Sequence, residues 1–536
     1  MLKKATAFLL STALLSGLFA GCSASPAASD QGTTAVDTPS TTQLAADKTG
    51  APSTGSTSSQ QTASDEKGPK YVFMFIGDGM SYPQIQSTSD FLGALNDEDY
   101  HQAQPSLDDN EGAILDGPEY LNFMNFEAAG SAVTYDSNSF APDSASTATS
   151  LATGHKTYSG SINVDETGTE KFETIAEKLH DKGVAVGVVT SVNLNHATPA
   201  AYYAHQASRN DYYEIGLELI DSGFEYFAGG GLLDPDGADG DKLNLYDQAE
   251  VAGYDVVMTQ EEAEAVTSGP VVIIDEHLAD GDAMAYELDR TDDMWALADY
   301  VEKGIEVLSQ DEDGFFMMCE GGKIDWACHA NDAASTIHDT QALADAVQVA
   351  IDFAAEHPDE TLIVVTGDHE TGGLTIGFAG TDYDTYLDLL ESQKISFAKY
   401  DSDYVAGYKE NQTSFEDVLA DIEELFGLKA EGEEGDKLVL TDYEMEQLRA
   451  AYEKSVNGTA ASEYEQEEYV LYGTYEPLSV TITHIINNKS GISFTSYSHT
   501  GLPVAVLANG VGAETFNGYY DNTEVYFKLA ELLDIA

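Results

Sequence analysis

The chain has 536 residues, room for one large α/β domain or two to three ordinary ones, and 42% of them are hydrophobic, enough for a real core. It carries 94 acidic against 23 basic residues, a formal net charge of −71. A field of that sign repels nucleic acid and anionic lipid headgroups, and three cysteines in such a length exclude a disulfide scaffold.

The first 21 residues read as a signal peptide: Lys3 and Lys4 form a charged start, and Ala5 to Phe19 is apolar but too short for a comfortable membrane span. The run Leu18-Phe19-Ala20-Gly21-Cys22 resembles a bacterial lipobox, with Phe19 where a leucine is usual. The expectation is an exported protein anchored to the membrane by lipid on Cys22, at the bacterial cell surface or facing the periplasm. An ordinary signal peptide cleaved nearby is the alternative. Residues 22–69 are Ser, Thr, Ala, Gln and Asp with almost no large apolar side chain, so they read as a disordered tether.

The catalytic domain is expected over 70–536. Val72-Phe73-Met74-Phe75-Ile76 is a continuous apolar run ending in Gly77-Asp78-Gly79, the pattern of a strand buried on both faces. Val184 to Val189, Gly314 to Met318 and Thr361 to Val365 repeat it, and Gly501 to Leu507 gives a fifth. Helical patterns lie between, at Phe172 to His180 and at Ala333 to Glu356. Strands alternating with helices predict an α/β fold, a mainly parallel central sheet with helices on both faces. Residues 380–477 lack long apolar strands and read as an inserted α-rich subdomain. There Ser414 to Phe426 is amphipathic with Gly427 placed to end it, and Thr441 and Glu444 are placed as a capping box.

Three predicted strands end in polar residues: Asp78, Glu320, and Asp368 with His369. Ligands of open α/β sheets bind at the carboxyl ends of strands, so these side chains should share one crevice. Asp325 and His329 are four apart, on one face of a helical turn, a workable pair of metal ligands although such pairs are commonly plain surface contacts. Asp368-His369 followed by Gly372-Gly373 suits a zinc site of oxygen and nitrogen donors. Pro142-Asp143-Ser144-Ala145 places a serine near a helix N-terminus, where free N–H groups favour a phosphoryl anion; alone, such a run reads as a tightly packed helix. Cys319 and Cys328 are either two buried thiols or one disulfide.

Together, and in this order, the motifs resemble the alkaline phosphatases. The residues that carry the resemblance are Ile76-Gly77-Asp78-Gly79-Met80, Asp143-Ser144-Ala145, Thr153-Gly154-His155-Lys156, Ala197-Thr198-Pro199-Ala200, Ser208-Arg209, Glu320-Gly321, Ile324-Asp325, His329-Ala330, Asp368 to Gly373 and Ser498-His499-Thr500-Gly501. The resemblance runs from Tyr71 to about residue 378 and resumes near 478. It implies the alkaline-phosphatase-like three-layer fold and hydrolysis of phosphate monoesters through a phosphoserine on Ser144, with Arg209 gripping the phosphoryl group. It implies one zinc on Asp325, His329 and His499, a second on Asp78, Asp368 and His369, and magnesium on Asp78, Thr198 and Glu320. Homodimers are common in the family and are therefore an expectation.

Two positions depart from one common form of the family, which has Asp and Lys there: His196, before Ala197-Thr198, and Trp326, after Asp325. His196 removes negative charge beside the third ion, so another divalent metal is expected to compete with magnesium there. Trp326 is expected to shape the mouth of the site. Two other functions remain open at this level: a phosphodiesterase of the same superfamily, and a non-catalytic acidic surface lipoprotein that binds cations.

Overall fold

The computed structural model describes residues 68–97, 100, 115–458 and 466–535. The signal peptide, Cys22 and nearly all of the tether lie outside the described residues. Among the described residues no helix is long and apolar enough to cross a membrane.

A sheet of ten strands forms the centre: β1 (Tyr71–Gly77), β2 (Ala128–Val133), β3 (Ala185–Thr190), β4 (Tyr226–Gly229), β5 (Asp255–Val257), β6 (Val271–Ile274), β7 (Phe315–Gly321), β8 (Thr361–Gly367), β9 (Val504–Gly510) and β10 (Gly518–Asp521). They lie in the order β10-β2-β9-β8-β1-β7-β3-β4-β6-β5. The run from β8 to β5 is parallel throughout, while β9 is antiparallel to both β8 and β2.

The central strands are buried at every position and mostly apolar because both faces are covered. Val72, Met74 and Ile76 point into one core with Val186, Val188 and Met318. Phe73 and Phe75 point into the other, with Phe315, Met317 and Val347 of the helix Ala333–Glu356. The strand period of two makes one continuous apolar run serve two cores.

Strand register sets the site. Gly77, Gly321 and Gly367 stand side by side across β7-β1-β8. Asp78 and Asp368 therefore emerge one residue past the same row, and Glu320 one residue before it. The row is also tight: a Cβ on Gly367 would lie 1.8 Å from the carbonyl oxygen of Met80. Gly367→Ala is expected to destabilise the protein by about 1–3 kcal/mol through overpacking. Activity should fall with it, because Asp368 follows directly. A urea melt unchanged from wild type would contradict this.

The fifth predicted strand is shifted. It was expected from Gly501, but the ladder starts at Val504. Pro503 has no N–H to donate to a ladder, and its carbonyl instead accepts from the Ser81 hydroxyl at 2.7 Å. Within 380–477 the elements among the described residues are helices, joined by irregular stretches and one isolated bridge between Lys429 and Val439. Ser414 caps the helix Phe415–Phe426, which ends at Gly427 in the left-handed conformation, and Thr441 with Glu444 forms a capping box on the helix Asp442–Asn457. This segment is not a separate body: Leu390, Ile422 and Leu448 share a core with Phe91, Ile337 and Ile482.

Candidate active site

Ser144 is the first residue of the helix Ser144–Thr153, and Asp143 is its N-cap, accepting from the Ser146 amide at 3.1 Å. The serine is buried. Its Oγ lies 3.4 Å from Asp78 Oδ1 and 3.2 Å from His369 Nε2. His369 Nε2 is in turn 3.3 Å from Asp78 Oδ1 and 3.3 Å from Asp368 Oδ2. The carboxylate of Asp368 is held by Gly79 N at 3.1 Å, His369 N at 2.9 Å and Thr147 Oγ1 at 3.0 Å. One group of ligand-type atoms, from Asp78, Asp368 and His369, thus converges on Ser144.

Asp325, His329 and His499 form a second group. His329 Nε2 is 3.3 Å from Asp325 Oδ2, and His499 Nε2 is 3.5 Å from Asp325 Oδ1. His499 is delivered by a two-residue antiparallel pairing of 499–500 with 370–371. Thr371 also donates its hydroxyl to Asp325. A ring nitrogen of His369 lies near this group as well, but the contacts of its Nε2 to Ser144, Asp78 and Asp368 place it with the first.

The tautomers of these histidines follow from their partners. His329 Nδ1 is 2.7 Å from the Tyr497 carbonyl and His499 Nδ1 is 2.6 Å from the Pro142 carbonyl. A carbonyl only accepts, so each Nδ1 carries a hydrogen, and in the neutral ring each Nε2 presents a lone pair; without a metal ion, burial is outweighed by Asp325 beside it, which favours a proton on His329 instead. Those two Nε2 atoms face each other at 3.0 Å. Two lone pairs at that distance repel unless a cation sits between them, and a metal ion fits that donor set of two imidazoles and a carboxylate.

The third group is Asp78, Glu320 and His196, with Thr198 Oγ1 3.4 Å from Asp78 Oδ2. Glu320 accepts from Thr190 through Oε2, while its buried Oε1 has no partner. An orphaned carboxylate oxygen in a dry site is costly and fits a missing cation.

The charges agree. Asp78, Glu320, Asp325 and Asp368 are all buried. Burial, then Asp368, Asp325 and Glu320, hold the Asp78 carboxyl well above the usual range. Burial pushes Glu320 up to about 8 and Asp368 up to about 6. Burial also works against the Asp325 charge, but His329 and His499 outweigh it and keep that carboxyl well below its ordinary value. Three of the four carboxylates are thus short of positive charge.

Arg209 supplies part of it. Its Nη1 donates to Asp143 Oδ2 at 2.9 Å and its Nη2 to His196 Nε2 at 3.1 Å. Because His196 Nε2 accepts, its proton sits on Nδ1, and burial followed by Arg209 drives its pKa down to about 3, so the ring is neutral. Asp143 therefore caps the serine helix and aims the arginine at once.

A pocket of about 550 Å³ opens over this site, lined by Ser144, Arg209, Asp325 and His499. Trp326 lines it, as expected. Phe397 and Tyr475, from the two ends of the 380–477 segment, line it too, with Tyr286 and Asp280. No motif marks those four; they were not singled out in the sequence. Nor was Thr190, for which a hydroxyl at a strand end was the only signal, while Thr371 lies inside the Asp368 to Gly373 motif with no role assigned to it there. His155, His205 and His338 lie elsewhere: His155 stacks on Phe172, His205 bonds the Phe172 carbonyl, and His338 packs on Phe91. Cys319 and Cys328 are both buried thiols.

The family profile described as Alkaline phosphatase matches residues 69–535. The chain belongs to the alkaline phosphatase family. It is 31% identical over 466 residues to Alkaline phosphatase 3 of Bacillus subtilis (strain 168), covering 85% of this chain and 87% of that protein. Among solved structures, a cold-active alkaline phosphatase from the psychrophile Shewanella sp. is 28% identical with a TM-score of 0.68, covering 86% of this chain and 99% of that one. The Thermus thermophilus alkaline phosphatase, 23% identical with a TM-score of 0.69 and covering 88% and 92%, shares the fold. As an alkaline phosphatase the protein is a phosphoric monoester hydrolase that works with divalent metal ions. The three ligand groups suit such ions.

Proposed function

We propose that phosphate monoesters are hydrolysed here in two steps through a phosphoserine on Ser144, with two zinc ions and a third divalent ion. Asp325, His329 and His499 would hold one zinc. Asp78, Asp368 and His369 would hold the other, and Asp78, Thr198 and Glu320 the third ion, magnesium. The observation that carries the reading is the pair of inward Nε2 lone pairs beside a buried serine whose Oγ touches Asp78 and His369.

Bound divalent ions supply Lewis acidity, lowering the pKa of a nearby hydroxyl and neutralising charge on phosphoryl oxygens. The rest is done by the chain. The Ser144 Oγ loses its proton and attacks phosphorus; the P–O bond to the alcohol breaks and the alcohol leaves with a proton. Water then attacks phosphorus, the P–Oγ bond breaks, and Ser144 recovers its proton as phosphate departs. Arg209, aimed by Asp143, offers its remaining N–H groups to the phosphoryl oxygens. His196 is a support for Arg209 and not a ligand, since its Nδ1 carries the proton. An aspartate in its place would add charge beside Glu320, so the third site of this chain should hold magnesium less selectively against other divalent ions.

Acid-quenched turnover of a 32P-labelled monoester should leave label on the peptide containing Ser144; label on another residue, or none under burst conditions, would end the two-step reading. Arg209→Ala is expected to lower kcat/KM by about 10²-fold, as loss of one anchored oxyanion donor does. Equal kcat/KM for variant and wild type would remove Arg209 from the mechanism.

A further inference from the structure

The pocket is larger than its chemistry needs. About 550 Å³ falls in the range of roughly 300–1,000 Å³ that takes a drug-sized ligand. A phosphoryl group alone would leave most of it empty, and the rest of its wall is aromatic. Trp326, Tyr286, Phe397 and Tyr475 line it together. The Tyr286 and Phe397 rings meet edge to face at 5.7 Å, and Phe397 and Tyr475 meet edge to face at 5.8 Å.

These rings are fixed in place. Phe397 is tied through its backbone N–H to the buried carboxylate of Asp332 at 3.0 Å, which also takes Gln393 Nε2 at 2.8 Å. Lys323 is fully buried beneath the other pair. Its Nζ lies 4.0 Å from the Tyr286 ring centre and 4.7 Å from that of Trp326, and it bonds Asp280 Oδ1 at 2.7 Å. Trp326 is also held from the loop side. Gly281 has φ +62°, and a Cβ there would come within 2.9 Å of the indole. A wall that is set before the ligand arrives loses little entropy on binding.

Charge limits what that wall accepts. Asp280 stands at its edge, and its one cation, Lys323, is spent on it beneath the rings. A further anionic group on the alcohol side of the substrate would meet aromatic faces and a carboxylate. A flat uncharged ring would meet four aromatic side chains.

We infer that Trp326, Tyr286, Phe397 and Tyr475 form a subsite for the organic half of the substrate, and that it selects phosphate monoesters whose alcohol carries a neutral aromatic ring. This rests on the phosphomonoesterase reading above. It also gives the 380–477 segment a role, since Phe397 and Tyr475 come from its two ends.

The test uses two substrates with the same leaving oxygen, adenosine 5′-monophosphate and ribose 5-phosphate, on the metal-loaded full chain. Wild type should favour the nucleotide in kcat/KM by at least about fivefold, the scale of stacking a base on an aromatic side chain. Phe397→Leu and Tyr475→Ala should each shrink the ratio, mainly through the KM of the nucleotide. Tyr475 is half-exposed, so that variant guards against a folding failure at Phe397. The same preference should appear as relative affinity for the two compounds on the Ser144→Ala protein, which reads the subsite without turnover. A wild-type ratio near one in both assays, or variants that slow both substrates equally, would overturn the subsite. A clear affinity preference with no turnover of either substrate by wild type would support the subsite and count against the phosphomonoesterase mechanism instead.

Discussion

Ser144→Ala should lower kcat for p-nitrophenyl phosphate by about 10⁴-fold or more while leaving the fold and the metal content intact. The expectation is sharp because, among the described residues, Ser144 is the one hydroxyl in contact with both Asp78 and His369. The nearby Thr147 hydroxyl is occupied with the Asp143 carbonyl and Asp368. Removing Oγ leaves the helix cap untouched, since Asp143 makes it. Steady-state kinetics with metal analysis of the same sample checks this, and a variant with wild-type kcat would refute the nucleophile.

Removing metal should abolish activity, and it should destabilise the protein more as pH rises. The sign follows from the carboxyls. Glu320 and Asp78 have folded values raised above their unfolded ones, Glu320 to about 8. In the metal-free protein the folded state then binds protons that the unfolded state has lost. Stability is present at low pH and lost as pH rises through the folded values. Below about pH 6.5 the buried neutral rings of His369 and His196 work in the opposite direction, since unfolding lets them take up protons. The window for Glu320 is therefore about pH 7 to 8, where its carboxyl can contribute up to about 1 kcal/mol per pH unit, and the raised value of His329 acts in the same direction. Metal-loaded protein, whose carboxylates are ionised and paired, should show a flatter profile. Calorimetric melting of chelated and reloaded samples across that window measures the difference. A gap that stays constant or narrows with rising pH would show that these carboxyls are not the ligands.

Much of the architecture was legible in the chain. Runs such as Val72 to Ile76 and Leu362 to Val365 are apolar at every position and too short for a helix, the pattern of a strand covered on both faces. The caps at Gly427 and Thr441 were legible because a cap is a local device of three or four residues. β2 was not. Its sequence, Ala-Ala-Gly-Ser-Ala-Val, has small residues with little strand preference, and its pairing with β9 and β10 decides it. The short strands β4, β5 and β6 escaped for a similar reason: three or four residues carry too little period to read.

The serine shows the division most clearly. By itself the sequence determined that carboxylates and a histidine would stand at the ends of buried strands, and that Ser144 would lie near the start of a helix. Each of those features is local, fixed by patterns a few residues long. Only the tertiary structure decided which atoms meet. The register of β7-β1-β8 brings Asp78, Glu320 and Asp368 to the same end of the sheet, and a two-residue pairing carries His499 to face His329 from 170 positions away. The aromatic wall belongs wholly to that second kind. Trp326, Tyr286, Phe397 and Tyr475 have no common motif or spacing, and they meet because separate segments pack around one pocket.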